Sequence, residues 1–398
     1  MPETLLYAYP WDFEGDDGAV ERAAALGVGT VAIAATYHST RAARPLHPAR
    51  PLVDVRHDAC YVPVRPAAWK GHRLVPQAPQ WVESDDSFGL ARDLLQAAGL
   101  ATQAWVILTH NSALGRKHPG LVVSNAFGNR YEYALCPSAP DVLEYCTTLV
   151  DEIVASGPGD GLVLEACGPM GFEHNGVHEK TSLAGWGRGK RDLLSLCFCS
   201  ACSARYRSGG LDVDRLRDLV RYAILTGSGS PQELLGSEFA DGVAEVRTAV
   251  SAELRLLLAA RIKDANSALR VTVHGSHDPW ATGSFPTLAP TPGAGVDAVV
   301  TSCFEAARGA EAVAGLQALV QGVGRGTDQR DELPPMPVVG GMVRPTEDWA
   351  DDVVLRDRLA RMQAAGMEEL HLYHLGLVGD AGHRTLQRMV SAFLDGRP

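Results

Sequence analysis

The chain has 398 residues, 36 Lys+Arg against 47 Asp+Glu, a formal net charge of −11 and 46% hydrophobic residues. This is a globular composition that excludes a disordered chain, and the acidic balance argues against a nucleic-acid partner, which needs clustered Lys and Arg. No apolar run approaches the ~20 residues of a membrane span, so no membrane partner is expected.

The start, MPETLLYAYPWDFEGDD, lacks a basic segment followed by an apolar stretch, so the expectation is a soluble, cytoplasmic protein. In that compartment the eight cysteines read as reduced thiols or metal ligands, not disulfides.

Taken in order, the chain repeats one phrase: a helix, a small residue, Gly, then a short apolar run. It appears as AAALGVGTVAIAA (23–35), QAAGLATQAWVIL (96–108), GDGLVLEA (159–166), GAGVDAVVTS (293–302) and QAAGMEELHLYHL (363–375). Glycine past a helix end supplies the left-handed residue that stops it. Runs of Val, Ile and Leu without alternation fit parallel strands buried on both faces. Eight strands are predicted, at 4–10, 29–36, 102–109, 161–166, 269–275, 297–303, 336–343 and 369–375. Helices are predicted at 17–26, 87–98, 140–155, 211–226, 238–266, 308–322 and 348–365. Eight β/α units predict an α/β fold, a (β/α)8 TIM barrel forming one domain over 1–398. An open doubly wound sheet is the alternative, but no strand is followed by a G-x-G-x-x-G turn. Long loops at about 39–86, with seven prolines, and 167–210 follow strands two and four. In a barrel, loops after strands lie on the catalytic face.

LCFCSACSARY places Cys197, Cys199 and Cys202 as C-x-C-x-x-C, and tetrahedral zinc needs one further ligand. Cys136, Cys146, Cys167 or a histidine would serve, whereas Cys60 and Cys303 are isolated and expected to be buried.

The phrase YALCPSAPDVLEYCTTLV (133–150) resembles the Cys-Pro-x-x-Pro stretch preceding a helix in family-42 β-galactosidases. In that family the strand with the catalytic acid/base and then a C-x-C-x-x-C segment follow, as they do here over about 133–207. LYHLG (372–376) also resembles the Phe-Tyr-Asn-Tyr-Gly strand eight of a wider group of uncharacterised glycosidase-like barrels, and the chain reads as nearer to that group. The resemblance implies a clan-A (β/α)8 glycosidase with a structural zinc on Cys136, Cys197, Cys199 and Cys202, and it puts Glu165 in the acid/base position.

Glu165 ends the apolar strand GLVLEA, where partial desolvation would raise its pKa into the range of a general acid. The family has Asn-Glu there, and this chain has Leu164 before Glu165. The second carboxylate, expected at the end of strand seven, is missing: MPVVGGMVRP ends in Gly341, Met342 and Arg344. Substitutes are Asp278, Glu305, Glu173, Glu179 and Asp12. A retaining enzyme needs the pair about 5–5.5 Å apart and an inverting one about 6.5–9.5 Å.

Histidines stand at four strand ends: His38, His110 beside Asn111, His274 with His277, and His374; His174 and His178 lie in the strand-four loop. Such a rim binds sugar hydroxyls or a metal. Tyr9, Trp11, Tyr37, Phe172, Trp280 and Tyr373 are candidates to stack on sugar rings. His174-x-x-x-His178 lacks the glutamate of H-E-x-x-H, and no G-x-S-x-G elbow or P-loop occurs.

The expected function is therefore a carbohydrate-active hydrolase acting on a small glycoside, with homo-oligomerisation left open. Glu165, Asp278 and Glu305 are the catalytic candidates. Trp11, His38, His110, Asn111, Glu173, His174, His178, His274, Arg344 and His374 are the binding candidates. The alternatives are a metal-dependent lyase, isomerase or amidohydrolase using the histidine rim, for example His110 and His274 with a carboxylate, and a catalytically silent sugar-binding barrel.

Overall fold

The apolar runs become strands because each buries both of its faces, one toward the barrel axis and one toward the helices. The computed structural model describes residues 3–173, 180–323 and 336–396. The strands are β1 (Glu3–Ala8), β2 (Thr30–Ala34), β3 (Ala101–Ile107), β4 (Gly161–Glu165), β5 (Arg270–His274), β6 (Ala298–Ser302), β7 (Val338–Val343) and β8 (Glu369–Leu372). All eight pair in parallel, and β8 closes on β1, with Glu3 opposite Glu369 and Leu6 opposite Leu372. Closure aligns the C-terminal ends of the strands around one mouth.

Every strand lies over a predicted run, and the seven predicted helices are present, among them Pro140–Ala155 and Ser237–Ala265. Asp380–Asp395 was not predicted; it packs Leu386, Met389, Val390 and Phe393 inward at helical spacing. The loop after β2 is not featureless. It folds into two small antiparallel pairs, Thr36–Tyr37 with Ala59–Cys60 and Thr40–Ala43 with Leu52–Val55.

The barrel axis is unusually polar. Arg270 at the base of β5 pairs with Glu369 and lies 3.5 Å from Glu3, and the Gln103 amide donates to Glu3 across 3.4 Å. Gly340 on β7 makes room for the His371 ring, since a Cβ there would stand 3.2 Å from it. A second apolar cluster forms outside the barrel from Leu193, Leu216, Val220, Phe239 and Val243, together with Cys136, Cys197, Cys202 and Trp280. Among the described residues no helix is long and apolar enough to cross a membrane.

Candidate active site at the barrel mouth

β4 delivers Glu165 to the mouth, where its side chain is 9% exposed. The Trp105 indole N–H, from neighbouring β3, donates to Glu165 Oε2 at 2.8 Å, and His274 Nδ1 lies 3.4 Å from the same oxygen. Ala166, directly after it, adopts a left-handed φ of 52°, which costs a non-glycine residue about 1 kcal/mol or more. The Thr109 hydroxyl holds this turn by donating to the carbonyls of Ala166 and Gly168 at 2.9 and 2.7 Å.

The raised pKa expected for Glu165 is corrected here. Burial pushes the carboxyl up, but hydrogen bonding and charge from His274, the charge of His38 and the Ser284 hydroxyl outweigh it and hold the group below its ordinary value. Burial pulls His274 itself down, against the pull of Glu165.

Trp105 is the hub of an aromatic cluster, with Tyr7, Tyr9, Tyr37, Tyr373 and His374 around it at ring separations of 5.0 to 6.3 Å. His38 stacks on Tyr37 and meets His110 at a tilt, both with ring centroids at 4.3 Å. His38, His110, Glu165, His274 and His374 thus belong to one contiguous cluster. The hydroxyls of Tyr9, Tyr37 and Tyr373 converge within 3.2 Å of one another.

Three binding candidates are placed differently from expectation. Trp11 is fully buried and stacked on Tyr9 at 4.4 Å, so it supports the mouth instead of facing it. Asn111 caps the Ser112–Lys117 helix, accepting from Leu114 N–H at 2.9 Å. His374, also fully buried, sits 3.8 Å from Asp12, and burial holds it far below its ordinary pKa. His174, His178 and Glu179 lie outside the described residues.

A cleft of about 660 Å³ opens beside this cluster, lined by the ends of β6 and β7 and the loops after β4 and β5. Phe285 joins cleft to cluster: it lines the cleft and stacks on His274 at 4.7 Å. Glu173, Asp278, Glu305 and Arg344 all line this cleft. Asp278 is paired with Arg188, Glu173 with Arg191, and exposed Glu305 lies 3.9 Å from Arg308. Arg344 covers the Phe304 ring at 5.0 Å. Among the described residues, the side chains that act most on Glu165 are the imidazoles of His274 and His38 and the Ser284 hydroxyl.

The four cysteines implied by the resemblance come together. Their Sγ atoms lie within 4.8 Å of one another, with Cys136 at 3.4 Å from Cys202, 3.8 Å from Cys197 and 3.6 Å from Cys199. A tetrahedron with ~2.3 Å metal–sulfur bonds has edges of about 3.8 Å, so the spacing fits a zinc-sized cation. Backbone N–H groups of Ser124, Cys199 and Cys202 point at these sulfurs at 3.4 to 3.5 Å, as thiolates require. Cys146 and Cys167, the other candidates for the fourth ligand, are buried elsewhere in the barrel core. Among the described residues the histidines form no comparable group with a carboxylate.

Sequence reading missed Trp105, Tyr7, His371 and Asp192. The first three share one signal: polar or aromatic residues at i, i+2 inside apolar strands, as in Gln103/Trp105, Arg270/Thr272/His274 and Glu369/His371. Asp192 lies in the cleft wall 3.8 Å from Arg188, and burial raises it to about 6.

No protein-family profile matches this sequence, and no curated protein matches it. Solved structures do. The catalytic domain of β-amylase from Paenibacillus polymyxa superposes with a TM-score of 0.56 at 11% identity, over 100% of this chain and 99% of that one. α-L-Fucosidase isoenzyme 2 from Paenibacillus thiaminolyticus gives 0.53 at 12% identity, over 98% of this chain but 49% of its own, so this chain spans about half its length. A catalytic mutant of Gan42B, a GH42 β-galactosidase from G. stearothermophilus, gives 0.52 at 9% identity over 100% of this chain and 58% of that chain. At these identities the likeness is one of fold: the chain is a closed (β/α)8 barrel of the kind found in these glycoside hydrolases.

Proposed function

We propose that the chain is a carbohydrate-active hydrolase that binds its glycoside in the cleft beside β5–β7 and uses Glu165 as acid/base. The observation that carries this reading is a buried carboxylate at the C-terminal end of β4, fixed by Trp105 and placed against His274. A fixed carboxylate with an imidazole beside it can both lose and regain a proton at a glycosidic oxygen. Of the two further candidates, Asp278 suits the second carboxylate better, because Arg188 fixes it inside the cleft whereas Glu305 is exposed. Arg344, Glu173, His38 and His110 are proposed to contact sugar. In this reading Cys136, Cys197, Cys199 and Cys202 hold a structural zinc, which ties the loop after β4 to the Cys136 turn.

A second reading, a sugar-binding barrel without turnover, is favoured by the end of β7, where Gly341, Met342 and Arg344 leave no acid. A panel of natural oligosaccharides and activated aryl glycosides separates the two. Glu165→Gln should lower the rate on unactivated glycosides by roughly 10²–10⁴, the usual scale for acid–base catalysis, and spare activated ones. Sugar binding without turnover by the unmodified protein selects the second reading, and neither binding nor turnover of any glycoside removes both.

A further inference from the structure

We propose that Glu165 is the mouth end of a proton relay running down the barrel interior through His274, Tyr7 and His371 to Glu369. The proposal rests on the reading of Glu165 as acid/base and names how its proton is supplied. The Tyr7 hydroxyl is hydrogen bonded to His274 Nε2 at 2.6 Å and to His371 Nδ1 at 3.0 Å. The far nitrogen of each ring faces a carboxylate at 3.4 Å: His274 Nδ1 toward Glu165, and His371 Nε2 toward Glu369. Tyr7, His274 and His371 have no exposed surface, and the buried His274 Nδ1 is left without a hydrogen-bond partner, facing Glu165 at 3.4 Å.

Counting protons gives the chain its function. Its four links need four protons, while two neutral imidazoles and one phenol bring three. A phenol donates one hydrogen bond and here accepts the other, so the two histidines cannot both be donors to it or both be acceptors from it. A line in which all four contacts are hydrogen bonded therefore carries one extra proton. With that proton on Glu165, His274 Nε2–H donates to Tyr7, Tyr7 donates to His371 Nδ1, and His371 Nε2–H donates to Glu369. When Glu165 passes its proton to His274 Nδ1, His274 Nε2 releases one to the Tyr7 oxygen. Tyr7 then passes its own to His371 Nδ1, and His371 Nε2 releases one to Glu369. Every link survives with its direction reversed, and the net charge is unchanged. Burial and the charges of Glu165 and Glu369 hold Tyr7 far above its ordinary pKa, so it transmits protons without resting as phenolate.

The groups at each end set the direction. At the base, Arg270 pairs with Glu369 and lies 3.5 Å from Glu3. At the mouth, Glu165 faces the Trp105 N–H, His38, Ser284, Tyr37 and Tyr373. These groups favour an ionised Glu165, so the line hands Glu165 its proton at the moment a leaving group takes it. After transfer to substrate the line is one proton short. It refills when Glu369 takes a proton from water at the barrel base, where Arg270 and Glu3 are about a quarter exposed, while substrate covers the cleft.

The test uses no substrate, so a failed glycosidase reading and a failed relay give different results. The Trp105 indole N–H, which donates to Glu165, is followed by ¹⁵N NMR as a function of pH. Glu369→Gln should move its midpoint by about one pH unit, the size at which two sites titrate as a pair. In a Tyr7→Phe background the same substitution should leave the midpoint in place, because the middle link is gone. A shift that persists in the Tyr7→Phe protein, or no shift in either, overturns the relay. Should Glu369→Gln fail to fold, the unmodified protein labelled with ¹⁵N-histidine decides. His274, His371 and the Trp105 indole share one midpoint if the relay exists, and separate midpoints overturn it.

Discussion

Trp105 and Glu165 sit on adjacent strands and share one hydrogen bond, the indole N–H donating to Oε2 across 2.8 Å. Neither side chain has room to turn away, because Trp105 is packed edge-on against Tyr7 and Tyr37. The bond therefore fixes one carboxylate oxygen and leaves chemistry to the other. Trp105→Phe removes a donor to a buried anion, which should cost about 1.5–3 kcal/mol by denaturant titration. It should also raise the Glu165 pKa, since losing a donor disfavours the charged form. An unchanged Glu165 titration, read by ¹³C-carboxyl NMR, would show that the indole does not stabilise the anion.

The cysteine cluster predicts one zinc per chain, measurable by plasma mass spectrometry on protein purified without added metal. Cys199→Ser removes one of four ligands and should lower zinc content and thermal stability together. Zinc-free protein with undiminished stability would assign the four thiols a packing role alone.

Asp12 gives the chain a pH signature. It is buried, accepts the Tyr9 N–H at 2.9 Å and lies 3.6 Å from Arg44, yet burial outweighs both and raises it to about 7. A folded pKa above the unfolded value means that the folded state retains the proton longer. Its stabilisation is full below about pH 4 and fades as pH climbs toward 7, a swing on the order of 4 kcal/mol. Asp12→Asn keeps the acceptor and removes the titration, so its stability should fall less between pH 4 and 7 than that of the unmodified protein. Urea titrations at several pH values compare the two slopes, and parallel slopes would refute the assignment.

Arg344 is exposed at the end of β7 and stacks on Phe304, so its replacement should leave folding nearly untouched. Arg344→Ala is expected to weaken binding of a cleft ligand by about tenfold, the loss of one charge-assisted hydrogen bond of ~1.4 kcal/mol. Calorimetric titration with any sugar that binds the unmodified protein reads this directly. Equal affinities would place the ligand away from β7.

The barrel was legible because its strands are continuous apolar runs stopped by glycine-ended helices, a pattern that needs no tertiary information. The Asp380–Asp395 helix was missed although Leu386, Met389, Val390 and Phe393 mark its inner face, because no ninth strand follows to suggest another β/α unit. At the candidate site, residue type placed the side chains at one end of the barrel but did not give the role of each. Asn111 looked like a ligand because it follows His110, yet a short polar side chain before a helix serves equally as its cap. Trp11 looked like a sugar platform, but its exposure depends on how Tyr9 and Tyr61 close over it, which one sequence does not encode locally. Glu165 was placed at a strand end, while the sign of its pKa shift depended on His274, more than one hundred residues away.

The two apolar clusters have separate memberships, one holding Trp11, Trp105 and Trp349 and the other Trp280 beside the cysteines. Heating need not melt them together, and a calorimeter would then record two overlapping peaks whose summed enthalpy exceeds the van't Hoff value of either. Single-tryptophan variants would sort the peaks by colour shift. Thiol-reactive chelators would move the peak that Trp280 follows and leave the barrel's own peak where it was.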